Sequence, residues 1–192
     1  MNGNIGVGKS TLIERFKELG YRIFDEPVDE WKFLLARIYK HGEKHLLPLF
    51  QWRVIEYYAR ITEEIVRMGP ERAQPIMVTR SPDSAVLFIL KNIADLGEKN
   101  ARSVTGFITM IKEFQFWRSA VNFYLYQPAS RCFENMNKRE TVESNTVPLK
   151  YLEDLEAWHD DFAQRYAWEH VDACDLDVAM QAILLKLKRL EN

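Results

Sequence analysis

Nine residues near the start of the chain, Gly3 to Thr11, read GNIGVGKST, a glycine, four residues, then Gly8-Lys9-Ser10. This string constrains the fold more than any other because each part of it has a physical task. Gly3, Gly6 and Gly8 let the N–H groups of Asn4, Ile5, Val7 and their neighbours curl around phosphate oxygens. A helix that follows at once turns the positive end of its dipole toward the same anion. Lys9 is spaced to reach β- and γ-phosphates, and the Ser10 hydroxyl to meet a magnesium ion. Leu12, Ile13, Phe16 and Leu19 then recur at helical spacing until Gly20. Such a loop normally follows a buried strand, yet only Met1 and Asn2 come first. The first central strand is therefore expected to be missing, through a start further upstream or a compromised sheet. Unpaired main-chain groups in its neighbours would cost about 1–3 kcal/mol each.

Beyond the loop, short apolar runs alternate with longer helical patterns, which predicts an α/β fold with a parallel sheet flanked by helices. Strands are expected at 21–25, 75–78, 121–126 and 169–173. Helices are expected at 31–39, 50–68, 83–96, 104–117, 128–139, 148–166 and 177–190. Ligands of open α/β sheets gather at the carboxyl ends of strands. Glu26, the run Thr79-Arg80-Ser81 and the polar stretch after Tyr126 fall there. No repeat, low-complexity tract or linker interrupts the 192 residues, so a single domain is expected.

Composition removes several classes of function. A formal net charge of −2 leaves no basic stripe for a nucleic-acid partner. No run of about 18 apolar residues predicts a membrane span, and no apolar leader predicts secretion. Cys132 and Cys174 lack metal-site spacing and read as reduced thiols. A cytoplasmic protein is expected, with the nucleus or mitochondrion left open.

Five motifs in order resemble the cellular and viral deoxynucleoside kinases over nearly the full length. GNIGVGKST is similar to the family's phosphate loop, and EPVDEW (Glu26 to Trp31) to its Glu-Pro-Val-x-x-Trp motif. Phe50-Gln51 is similar to its base-reading pair, Arg80-Ser81 to the second half of its Glu-Arg-Ser motif, and VPLKYLEDL (Val147 to Leu155) to the helix after its lid. The compact length and thin lid would suit a viral member acting in host cytoplasm.

The resemblance implies transfer of the ATP γ-phosphoryl group to a deoxynucleoside 5′-hydroxyl. Residues 3 to 11, with Lys9, Ser10 and Thr11 foremost, would hold the triphosphate and Mg²⁺. Glu26 would take the hydroxyl proton, and Arg80 would place a cation near the reacting oxygens. Gln51 would pair with the base. Trp31 and Phe88 would wall the base pocket, and Tyr39 would meet the sugar, though one extra residue separates it from Gln51. A lid at about 131–147 would bring Arg139 to the phosphoryl group and Glu143 to the sugar. Ala85, four residues after Ser81, stands where thymidine-accepting members have alanine and the others an aspartate, which implies a pyrimidine kinase that accepts thymidine and serves nucleotide salvage. A homodimer is expected through the apolar stretches 50–68 or 107–117.

The chain also departs from the pattern. Thr79 replaces the acid of Glu-Arg-Ser, and Tyr58 stands where thymidine-type members have methionine. Asn135 and Thr141 replace lid arginines, with Arg131 and Lys138 nearby, and Ser144 replaces the second of two acids. Two other functions fit parts of the sequence, a nucleoside monophosphate kinase of the thymidylate type and a degenerate nucleotide-binding protein without turnover.

Overall fold

The computed structural model describes residues 1–69, 75–138 and 147–190, and these divide into two compact units. One unit is α/β. It holds β1 (Asn2–Gly3), α1 (Lys9–Glu18), β2 (Arg22–Phe24), β3 (Ile76–Val78), β4 (Phe123–Tyr126), α8 (Ala129–Asn137), α9 (Leu149–Arg165), β5 (Glu169–Asp172) and α10 (Leu176–Leu190). The other is helical throughout. It holds α2 (Val28–Leu35), a π turn (Ala36–Lys40), α3 (Leu47–Met68), α4 (Pro82–Lys91), α5 (Ile93–Leu96), α6 (Glu98–Lys112) and α7 (Gln115–Arg118). The chain passes from the first unit to the second between Phe24 and Asp25 and again between Thr79 and Arg80.

Every strand pairing in the α/β unit is parallel. β1 pairs with β4 and β4 with β5, while β2 pairs with β3. Parallel strands are buried on both faces, and Phe123, Tyr124 and Leu125 in β4 are accordingly 4% exposed or less. The expected gap at the first strand is corrected in one respect. A two-residue strand is present, with Asn2 opposite Tyr124 and Gly3 opposite Leu125. The Met1 amino group donates to the Val78 carbonyl at 2.5 Å, joining this segment to the β3 edge. The buried Asn2 side chain donates to Asn122 at 3.1 Å. The main-chain groups of Asn2 and Gly3 thus find partners in β4, which sets the loop after Gly3 at a strand's carboxyl end.

In the helical unit α3 is the axis. Val54, Ile55, Tyr58, Ile61 and Ile65 form its buried stripe, at the 3.6-residue period that the sequence shows. An aromatic string runs through this core. Trp31 meets Phe50 and Tyr57 edge-on at 5.6 and 5.9 Å, and Tyr58 meets Trp117 at 6.0 Å.

Candidate functional site

In the α/β unit the phosphate loop is shaped by what surrounds it. Gly6 has φ +83°, and a Cβ there would lie 2.2 Å from the Cys132 carbonyl oxygen. Only glycine fits both the angle and the approach. Gly8 caps α1 with φ 98°. The main chain turns by these means, and α1 is locked below by Leu12, Ile13 and Phe16, all fully buried. Asn4, 3% exposed, accepts from the Ile5 N–H at 2.9 Å and donates to the Leu152 carbonyl of α9 at 2.8 Å. The Lys9 ammonium donates to the Gly3 and Asn4 carbonyls, both at 2.8 Å. Val7 is buried, Ile5 half-buried, and Ser10 and Thr11 are exposed at the start of α1.

A cavity of about 310 Å³ adjoins the loop, lined by Val7, Gly8, Gln127, Arg131, Glu134, Asn135, Lys138, Ala173, Cys174 and Leu176. Asn135, which the sequence marks as a lost lid arginine, has a local task. Its amide donates to the Gly6 carbonyl at 3.1 Å and to Gln127 at 2.9 Å. It ties α8 to the loop main chain, a role that the lid comparison did not signal. Burial pushes the Cys132 thiol up to about 11, so this side chain beneath the loop stays a neutral thiol.

In the helical unit Glu26, Arg80 and Phe88 meet as side chains, and Trp31 packs with Phe50 and Tyr57. Pro27 holds Glu26 out of helical geometry, two residues beyond the end of β2. Arg80 Nε donates to Glu26 Oε2 at 2.8 Å, with both side chains largely buried at 13% and 18% exposure. The Arg80 guanidinium also lies over the Phe88 ring at 4.7 Å. Ala85 and Phe88 share α4, which Ser81 caps by accepting from the Ser84 N–H. Trp31 is buried against Phe50 and Tyr57.

Gln51 is only 4% exposed, and its side-chain amide makes no hydrogen bond to another described residue. Tyr39 is half-buried in the π turn. A π turn takes up one more residue than an α turn, beside the segment where the spacing to Gln51 is one residue long.

Thr79 is 3% exposed and belongs to the α/β unit, its N–H donating to the Phe24 carbonyl at 3.1 Å. Among the described residues no group of three or more His, Cys, Asp or Glu could hold a metal ion. Arg139 and Glu143, with Thr141 and Ser144, lie outside the described residues. No described helix is long and apolar enough to cross a membrane. Sequence reasoning also missed what Tyr58 does. Its hydroxyl donates to the Ser81 carbonyl at 2.9 Å, a bond signalled only by its departure from methionine.

The sequence model of the deoxynucleoside kinase family matches residues 1–188. The chain is 28% identical over 177 residues to the thymidine kinase of Ictalurid herpesvirus 1, covering 82% of this chain and 72% of that one. It is 25% identical over 165 residues to a fowlpox virus protein named as a deoxycytidine kinase, covering 83% and 68%. Among solved structures, the deoxyadenosine kinase of M. mycoides superposes with a TM-score of 0.74 at 20% identity, over 98% of this chain and 97% of that one. Two of these relatives are viral, in keeping with the expected kinship, and the phosphate-loop α/β architecture is shared. The chain therefore belongs to the deoxynucleoside kinase family, enzymes that pass a phosphoryl group from a nucleoside triphosphate to the hydroxyl of a nucleoside.

Proposed function

We propose that this kinase transfers the γ-phosphoryl group of ATP to the 5′-hydroxyl of a pyrimidine deoxynucleoside, thymidine included, as a step of nucleotide salvage. The observation that carries the reading is the largely buried Gln51 side chain, whose amide makes no hydrogen bond to another described residue, in the unit that also holds the Glu26–Arg80 pair. An amide that donates and accepts can meet a pyrimidine edge with two hydrogen bonds.

Phosphoryl transfer asks mainly for positioning and charge stabilisation. The loop supplies main-chain N–H groups and Lys9 to the triphosphate, and the adjoining cavity has the size and polarity to take the rest of the donor. The loop keeps its turn at Gly6 because a Cβ there would lie 2.2 Å from the Cys132 carbonyl oxygen. Mg²⁺, when bound with the triphosphate, supplies positive charge that offsets the phosphate oxygens. Ser10 would hold it on the protein side, with water completing the shell, since Thr79 offers no carboxylate.

Glu26 accepts a hydrogen bond from Arg80 Nε at 2.8 Å, and its carboxylate is the group proposed to take the 5′-hydroxyl proton. Arg80 holds that carboxylate while offering its cation to the reacting oxygens. Trp31 and Phe88 bound the base, with Tyr39 toward the sugar, and Glu143, which lies outside the described residues, would serve the sugar as well. Arg139, in a lid at about 131–147 of one kinase domain, would add charge to the phosphoryl group. Ala85 is 5% exposed and carries neither charge nor bulk, which leaves room for a thymine methyl group.

Trp52, Val66, Phe107, Met110 and Phe114 of α3, α6 and the segment after it are exposed apolar residues, 38% to 67% open, which supports a homodimer through these helices. Sedimentation at the mass of one chain would contradict the dimer. The function itself is tested by incubation with labelled ATP-Mg²⁺ and thymidine, deoxycytidine, deoxyguanosine or thymidine monophosphate. Labelled monophosphate from the two pyrimidine nucleosides is expected. Product from deoxyguanosine alone, or from the monophosphate alone, would overturn the reading.

A further inference from the structure

Where thymidine-type members have a methionine, this chain has Tyr58, and the structure gives that phenol a specific task. Tyr58 is among the largest fully buried side chains of the protein, at 1% exposure. Its ring is fixed on two sides, by Tyr57 at 5.3 Å and by Trp117 at 6.0 Å. Trp117 is itself held, its indole N–H donating to the Thr62 hydroxyl at 3.0 Å one turn further along α3. The Tyr58 hydroxyl donates to the Ser81 carbonyl at 2.9 Å and lies 3.4 Å from the Arg80 carbonyl. Both carbonyls belong to the short segment between β3 and α4, where Arg80 leaves the main chain. A thioether could make neither contact as a donor.

We propose that Tyr58 is a positioning residue for phosphoryl transfer. It anchors the Arg80–Ser81 main chain to α3 and so fixes the Arg80 guanidinium against Glu26. The inference rests on the reading that Arg80 and Glu26 act on the acceptor.

The geometry explains why the anchor is needed. The Arg80 side chain rests on Glu26 Oε2 at 2.8 Å and over the Phe88 ring at 4.7 Å. Neither fixes the Cα from which the side chain springs, and a shift of about 1 Å at a catalytic group costs on the order of 10²-fold in rate. Arg80 is also the first residue of the helical unit after the chain leaves β3, two residues beyond the strand's last residue, Val78. Tyr58 ties that segment to α3 through its bond to the Ser81 carbonyl. Gln51 lies seven residues earlier on the same helix, about 10.5 Å at an α-helical rise. The helix that offers an amide to the base thereby also sets the arginine at the hydroxyl. Burial, with Glu26 second, pushes the phenol well above its ordinary range, so it stays a neutral donor at every pH at which the enzyme would work.

The test is a double-mutant cycle on the full chain, with steady-state thymidine phosphorylation as the readout. Tyr58→Phe keeps the ring and its contacts and removes only the hydroxyl. It is expected to lower kcat about tenfold while the thymidine KM moves less than about twofold. In an Arg80→Ala background the same substitution is expected to change kcat less than about twofold, because the group it positions is gone. Tyr58→Met, which refills the site without a donor, should repeat the Tyr58→Phe result, and thermal unfolding confirms that each variant is folded.

Equal losses in both backgrounds would show that Tyr58 merely supports the fold, and would overturn the inference. No loss from Tyr58→Phe beside a crippled Arg80→Ala would overturn the inference and leave the role of Arg80 intact. An unchanged kcat in Arg80→Ala would overturn the underlying reading and this inference with it.

Discussion

In the α/β unit the groups that would hold an anion belong mostly to the main chain of one nine-residue loop, and in the helical unit the groups that would take the nucleoside are side chains from separate elements. The loop is fixed by backbone angles and close approaches, as Gly6 under the Cys132 carbonyl shows. The residues proposed to take the acceptor pack on one another in pairs, with Glu26 on Arg80, Arg80 over Phe88 and Trp31 against Phe50. A site made of main chain admits almost no change in residue type at its glycines. A site made of side chains can be retuned one residue at a time. Variation in the preferred base within one family is then expected to lie in the second unit, and the relatives named for thymidine, deoxycytidine and deoxyadenosine show how far such names range.

The sharpest way to break this contrast is Gly6→Ala. The left-handed angle alone costs on the order of 1–3 kcal/mol, and the new methyl group would collide with a carbonyl 2.2 Å away. Turnover and kcat/KM for ATP should each fall by at least about 10²-fold while the thymidine KM changes little. A mild effect would mean that the loop main chain is not the anion site.

Next in size is Ala85→Asp, which places a carboxylate at a position 5% exposed. It should lower kcat/KM for thymidine about tenfold or more relative to deoxycytidine, with the ATP KM unchanged. An effect on ATP instead would erase the division between the two sets of residues.

The smallest effect concerns the thiols. Cys174 is exposed and lines the cavity beside the loop, while Cys132 is buried. At pH 8 a thiol reagent should modify one cysteine in the folded protein and two after denaturation. ATP should slow the reaction of Cys174 and thymidine should not. Burial pushes the native Cys132 thiol from its ordinary value near 9 up to about 11. The folded form therefore keeps a proton that the unfolded chain has lost, and its contribution to stability falls as pH rises from about 9 to 11.

The same contrast explains what was legible in the residues alone. The loop is contiguous, so its string reveals it, and the four later strands emerged within a residue or two because each is a short apolar run between turn residues. Glu26, Gln51 and Arg80 are scattered, and only the order of motifs linked them. The two-residue β1 was not legible, because a strand of that length has no periodicity of its own and exists through its partner β4. The helix expected over 83–96 divides at Asn92, whose side chain turns back to the Phe88 carbonyl at 2.8 Å. The helix expected from 104 begins at Glu98, directly after Gly97 at φ 78°. The tie from Tyr58 to Ser81 could not be read from spacing, because 23 residues separate the two.

The central claim is that side chains of the helical unit take the acceptor and its proton while the loop independently holds the donor. It is tested most directly by Glu26→Gln, assayed for both tasks at once. The account predicts that thymidine turnover falls by about 10²- to 10⁴-fold, while the dissociation constant for ATP-Mg²⁺, measured by calorimetry on the same folded sample, stays within about twofold. Unchanged turnover, or a loss of ATP binding as large as the loss of turnover, would contradict it.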